Sequence, residues 1–136
     1  MNHLPLKILF LTLLFTLLNL TFGCSKKQGP RTEPVYSDPN VPIKRQVGDR
    51  FVLVLASNPT TGYSWKFASP VDGKVLKLIQ SGFQAPEKQI PGRGGEEHWA
   101  FQAVGKGLTA VKLEYLRPWE KKTPPAKTAV FNVTVE

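Results

Sequence analysis

The sequence predicts an all-β domain, a two-sheet sandwich of about seven to eight strands, and three observations carry that prediction. From Ile43 onward, apolar character comes in runs of five to nine residues separated by Gly, Pro and Asn clusters. Within those runs apolar and polar residues alternate, as in Tyr63/Trp65/Phe67, Trp99/Phe101/Ala103, Thr109/Val111/Leu113/Tyr115 and Ala129/Phe131/Val133/Val135, so one face is buried and the other wet. Finally, 12 prolines and 11 glycines in 136 residues, with few Ala- or Glu-rich stretches, argue against a helical bundle.

Residues 1–23 come first and read as an export signal. Lys7 precedes the apolar or hydroxyl run Ile8 to Leu18. Eleven helical residues span roughly 16 Å, about half of a hydrocarbon core, so a signal h-region fits better than a permanent transmembrane helix. Removing this segment lowers the net charge from +8 to +7. Leu20-Thr21-Phe22-Gly23-Cys24-Ser25 then resembles a bacterial lipobox, in which the cysteine after a small residue is lipidated. Thr21 and Phe22 depart from that pattern; Gly23 and Cys24 fit it. An ordinary signal peptide with an incidental cysteine is the alternative. With Cys24 lipidated and Ser25 next, the expected location is the bacterial cell envelope, at the outer membrane or the periplasmic face.

Residues 24–42 hold four prolines and no hydrophobic period. Such a segment buries too little to offset its ordering entropy and is expected to be a flexible tether, reaching roughly 55 Å at about 3.1 Å per residue. The domain proper is expected at 43–136. Its strands are placed near 43–47, 50–56, 63–68, 75–82, 96–104, 108–116 and 128–135. Seven strands in this length suit an immunoglobulin-like sandwich with Trp65 or Trp99 as its aromatic plug. A single cysteine excludes an internal disulfide and any Cys-rich zinc site.

Three connections are more than simple turns. In Asn58-Pro59-Thr60-Thr61-Gly62, Asn58 is pushed extended by Pro59, the threonines are stiff at χ1, and Gly62 admits a conformation that other residues avoid. The long connection from Gln84 ends in Gly92-Arg93-Gly94-Gly95, whose glycines allow close backbone approach. Arg117-Pro118-Trp119-Glu120 places a tryptophan in a polar loop, either folded back on the core or presented as an interface anchor. Each has a bland reading as turn or solvent loop. In a sandwich, however, all three follow alternate strands and gather at one end.

Catalytic and metal chemistry find no support. His98 is the one histidine outside the signal, and Glu96, Glu97 and His98 alternate faces along a strand, so they do not converge on a metal. Gly62-Tyr63-Ser64-Trp65-Lys66 breaks the nucleophile-elbow pattern at its last position. The basic residues are dispersed without a nucleic-acid-binding motif, so no nucleic acid partner is expected. No cofactor is implied.

In order and spacing, Asn58 to Tyr63, Gly92 to Gly95 and Arg117 to Glu120 resemble the three loop motifs of the chagasin family, immunoglobulin-like inhibitors of papain-family cysteine peptidases. The similarity spans roughly 43–136, with Arg93 at the variable position of the second motif. It implies a monomeric, non-enzymatic protein that reversibly occludes a peptidase cleft. By that resemblance the 58–62 loop enters at the catalytic cysteine and histidine, Gly92 to Gly95 offers backbone hydrogen bonds on one side, and Trp119, with Arg117 and Pro118, packs on the other. The alternative is an envelope lipoprotein whose sandwich has a structural or ligand-binding role.

Overall fold

The alternation read from the sequence resolves into eight strands in the computed structural model, which describes residues 33–88, 90 and 92–136. They are β1 (Val35–Tyr36), β2 (Ile43–Arg45), β3 (Arg50–Ser57), β4 (Ser64–Phe67), β5 (Leu76–Gln84), β6 (Gly95–Ala103), β7 (Gly107–Leu116) and β8 (Lys127–Val135). One sheet has the order β1-β3-β6-β5, the other β2-β8-β7-β4. β1 runs parallel to β3 and β2 parallel to β8; the remaining pairs are antiparallel. Residues 1–23, Cys24 and the first part of the expected tether lie outside the described residues.

Both inner faces are filled by the residues whose parity marked them as apolar. Phe51, Phe101, Phe131, Leu53, Val111 and Val133 are buried to the last per cent or two. Each such side chain contributes on the order of 1.5–3 kcal/mol when removed from water. Phe51 stacks on Phe101 with centroids 5.7 Å apart, and Phe67 stands edge-on to Trp99 at 4.9 Å. Trp65 and Trp99, the two expected plugs, are both buried. The burial pattern of β8 alternates strictly from Ala129 to Val133, inner residues buried and outer ones solvated.

Strand ends fall within two residues of those expected, and one strand departs from expectation. β1 lies in the segment 24–42, read from the sequence as tether without regular structure. Two residues are too few to show a period, and their pairing depends on partners far along the chain. Val52 N–H donates to Pro34 O at 2.9 Å, Tyr36 meets Phe51 edge to face at 6.1 Å, and the Arg45 guanidinium donates to the Tyr36 hydroxyl. The segment from Glu33 is therefore fastened to the edge of β3, and Thr32–Glu136 is one compact unit containing the whole of this core.

The irregularity in β5 is local. Its register against β6 shifts between Leu78 and Gln80, a bulge that leaves Ile79 without a partner and 42% exposed.

Replacing Tyr36 with Ala removes the ring that fixes β1. We expect urea unfolding to report a loss of about 1–3 kcal/mol, the range for a half-buried aromatic, and limited proteolysis to cut earlier within 33–42. An unchanged midpoint would show that β1 adds nothing to the domain.

Candidate functional site

The connections after β3, β5 and β7 meet at one end of the sandwich, and they are joined to one another by named bonds. Asn58 is the hub. Its backbone N–H donates to the Tyr115 hydroxyl at 2.8 Å, and its side-chain Nδ2 donates to Gly92 O at 3.1 Å. Arg117 Nε reaches across to Thr61 O at 3.0 Å, which ties the third loop to the first.

The first loop is a single turn of 3-10 helix, Pro59–Thr61, entered from Asn58 at φ −135° and left through Gly62 at φ 82°. Pro59 presets the φ of the first helical residue and has no N–H to satisfy there. The hydroxyls of both threonines are used within the loop: Thr60 Oγ1 donates to Asn58 Oδ1 and Thr61 Oγ1 to Asn58 O, each at 2.6 Å. They brace a protruding, exposed tip rather than standing beside a base, so they are positioned for presentation and not for nucleophilic attack. The stiffness expected from χ1 is thus reinforced by hydrogen bonds that the sequence does not display.

Gly62 has two constraints. Its left-handed φ penalises any side chain, and a Cβ there would collide with the Trp119 ring. Trp119 is therefore presented at the surface, 65% exposed, with one edge against the first loop. Of the two roles open to it from sequence, the structure selects presentation over burial in the core.

In the second loop the glycines serve packing inside the protein as well as exposure. A side chain at Gly94 would stand 2.6 Å from Ser57 O, and one at Gly95 would collide with Gln84 O and the Phe83 ring. Arg93, just before them, donates its backbone N–H to Ile90 O at 3.0 Å and is exposed. Gln89 and Pro91 lie outside the described residues.

A short ladder of rings supports the first and third loops. The Arg117 guanidinium lies 4.5 Å from the Tyr63 centroid, Tyr63 stacks on Tyr115 at 5.2 Å, and Tyr115 meets Trp65 at 5.1 Å. Arg117 also pairs with Glu120 at 3.0 Å, and that hydrogen bond raises its pKa above the ordinary value. Pro118 and Trp119 form the turn between the two partners, closed by Glu120 N–H to Arg117 O at 3.0 Å.

Sequence reasoning passed over Ser57, Glu97 and the loop-facing end of Tyr115. Glu97 points inward, away from Glu96 and His98, which touch each other at 3.3 Å on the outer face. Glu97 Oε1 accepts from Ser57 Oγ at 2.6 Å and from Trp65 N at 3.1 Å, so one carboxylate joins β3 and β6 to the edge of β4 across the gap between sheets. The signal was present: Glu97 shares the parity of Trp99, Phe101 and Ala103, and an acid on a core face needs partners.

Changing Gly62 to Ala tests the contact between the loops. Left-handed strain and collision with the indole together should cost about 1–3 kcal/mol and move Trp119, seen as altered tryptophan fluorescence with the far-UV spectrum retained. Unchanged emission would mean that Trp119 does not rest on Gly62.

Comparison with known proteins places these loops in a family. Residues 44–135 match the family described as "Chagasin family peptidase inhibitor I42". The chain is 33% identical over 76 residues to chagasin of Trypanosoma cruzi, covering 54% of this chain and 69% of that protein. Among solved structures, it is similar to the cysteine protease inhibitor EhICP2 from Entamoeba histolytica, with TM-score 0.62 and 22% identity over 76% of this chain and 94% of that one. It is also similar to PbICP-C in its complex with falcipain-2, with TM-score 0.56 and 18% identity over 80% and 96% of the two chains. Matching fold, motif order and family together, the chain belongs to the chagasin family of peptidase inhibitors.

Proposed function

We propose that this inhibitor acts reversibly, as a monomer, on papain-family cysteine peptidases by closing their cleft with the three-loop end of the sandwich. In this reading the tip of the 58–62 loop occupies the cleft at the catalytic cysteine and histidine. The backbone of Gly92, Arg93, Gly94 and Gly95 lines one side, and Trp119, held by Arg117 and Pro118, packs on the other. The observation that carries the reading is the mutual bracing of the loops, Asn58 to Gly92 and Arg117 to Thr61. Loops fixed before docking lose little entropy on binding, so contact area converts into affinity. The chemistry of the target is consistent with the relatives, of which EhICP2 is a cysteine protease inhibitor and PbICP-C has been captured on falcipain-2.

A peptide lying in a peptidase cleft ought to be cut. Here Pro59–Thr61 is coiled into a 3-10 turn and closed by Gly62 N–H to Pro59 O at 2.9 Å, which keeps its carbonyls out of the extended geometry required for attack. Titrating the purified domain into papain with a fluorogenic peptide tests the reading: activity should fall stoichiometrically, and no loss against papain or a cathepsin L-like enzyme defeats it. The Thr60→Ala, Thr61→Ala double variant loses both hydroxyl bonds to Asn58. At about 0.5–1.5 kcal/mol each, inhibition should weaken by roughly 5- to 150-fold, with slow cleavage near residues 60 and 61 on long incubation. Unchanged affinity without cleavage would remove this loop from the catalytic centre.

We further propose that residues 1–23 direct export and that Cys24 carries the lipid that fixes the protein in the bacterial envelope. Support comes from the short h-region and from the placement of the chain's one cysteine directly after Gly23. Changing Cys24 to Ser should move the protein from the membrane to the soluble fraction and remove the diacylglycerol mass. Equal solubility of parent and variant would refute the anchor and leave the inhibitor reading intact.

A further inference from the structure

The three-loop end carries a charge distribution that the cleft-closing reading does not use. Its central element, Asn58 to Tyr63, contains no acidic or basic residue, so the tip meant for the cleft is neutral. Asn58 Nδ2 ties that element to the second loop at Gly92, and Arg117 Nε ties it to the third at Thr61. The first loop therefore has one neighbour on each side, and both neighbours display cations.

On one side Arg93 closes a turn through its N–H to Ile90 O at 3.0 Å, with its side chain exposed. On the other, the third loop is two consecutive turns. The first, closed by Glu120 N–H to Arg117 O at 3.0 Å, displays Pro118 and Trp119. The second, closed by Thr123 N–H to Glu120 O at 3.3 Å, displays Lys121 and Lys122, both exposed. These lysines continue the surface that presents Trp119.

The carboxylates at this end do not neutralise the three cations. Glu120 is paired with Arg117 at 3.0 Å, and Glu96 with His98 at 3.3 Å on the outer face. Glu97 is turned inward to Ser57 and Trp65, and Glu114 lies opposite Lys66 in the β4–β7 register. Glu87 is followed directly by Lys88, so that stretch of the second loop carries no net charge. Left over are Arg93, Lys121 and Lys122, whose charged groups make no ion pair among the described residues. Lys127, with its ammonium 5.7 Å from the Tyr115 centroid, adds a further positive charge below them. Exposed charges of one sign around a docking surface act on encounter more than on the docked state, and they favour a partner of opposite sign.

We propose that Arg93 on one flank and Lys121 and Lys122 on the other select peptidases whose cleft rims carry carboxylates, steering the neutral tip into the cleft between two acidic rims. The inference rests on the three-loop end being the peptidase contact. Papain is compared with papain whose surface amines have been succinylated, the catalytic thiol being blocked as a mixed disulfide during the modification and freed afterwards. Succinylation exchanges ammonium groups for carboxylates around the same cleft.

Association rate constants are read from the onset of inhibition with a fluorogenic peptide. At low salt the protein should associate about tenfold faster with the succinylated enzyme than with the unmodified one. That advantage should shrink at about 0.5 M salt, where charges are screened beyond roughly 4 Å. The Arg93→Gln, Lys121→Gln, Lys122→Gln variant should lose about tenfold in association with the succinylated enzyme, its dissociation rate and melting temperature staying close to the parent's. A Lys74→Gln, Lys77→Gln, Lys106→Gln variant removes the same net charge from the opposite end, where Asp49, Asp72 and Glu136 are interspersed with the lysines. It should slow association by less than about twofold.

Equal slowing by the two triple variants overturns the proposal, because net charge alone would then be acting. So does a loop-end variant that associates as the parent does but dissociates faster, which would make the three side chains ordinary contacts. A parent that inhibits both forms of papain at the same rate, whatever the salt, removes the acidic rim and leaves the cleft-closing reading standing. A parent that inhibits neither form defeats that reading, and this inference with it.

Discussion

The hydrogen bond from Asn58 N–H to the Tyr115 hydroxyl is the constraint on which the loop end depends. Tyr115 is 8% exposed, held between the rings of Tyr63 and Trp65, and stands two residues before Arg117 on β7. Its hydroxyl therefore fixes where the first loop begins relative to where the third begins. From Asn58 the order spreads outward: to Gly92 through Nδ2, to Thr60 through Oδ1, and to Thr61 through the main-chain carbonyl. Arg117 closes the circuit by returning to Thr61. A loop held at its root and its tip has few alternative conformations to lose when it meets a partner.

Beneath that circuit, Glu97 performs a task that backbone pairing cannot. Two sheets packed face to face share side-chain contacts but no ladder, so their relative position is open to sliding wherever the contacts are purely apolar. Glu97 receives Ser57 and Trp65 N on one carboxylate oxygen, and the Trp65 indole donates to Ala56 O at 3.0 Å. These directional bonds lie at the loop end of the core, where β3 and β4 are joined through residues 58–63. Register between the sheets, and with it the spacing of the loops, is set by them.

The two ends of the sandwich consequently differ in kind. At one, polar atoms are consumed internally, leaving Pro59, Thr60, Thr61 and Trp119 displayed on a rigid base. At the other, the turns 46–49, 72–75 and 104–106 are joined by main-chain bonds, Gly48 N–H to Ala103 O and Val104 N–H to Val75 O, both at 2.8 Å.

Much of this was legible in the sequence because strand parity is a local property. Alternation at Trp99/Phe101/Ala103 or Ala129/Phe131/Val133 identifies core faces without knowledge of any partner, and the turn residues bounding each run fix the ends to within about two residues. The three loop motifs were legible as well, since Pro59, Gly62, Gly94 and Trp119 are unusual residues in telling positions, and their order carried the family resemblance. What only the tertiary structure decided are facts about pairs distant in the chain. β1 exists because Val35 and Tyr36 find Val52, Leu53 and Phe51. The threonine hydroxyls are occupied because Asn58 turns toward them, and Glu97 is a bridge because Ser57 and Trp65 are brought within reach. A sequence displays propensity residue by residue, whereas a hydrogen bond between positions 40 or 57 apart is set by the packing of the sheets that carry them.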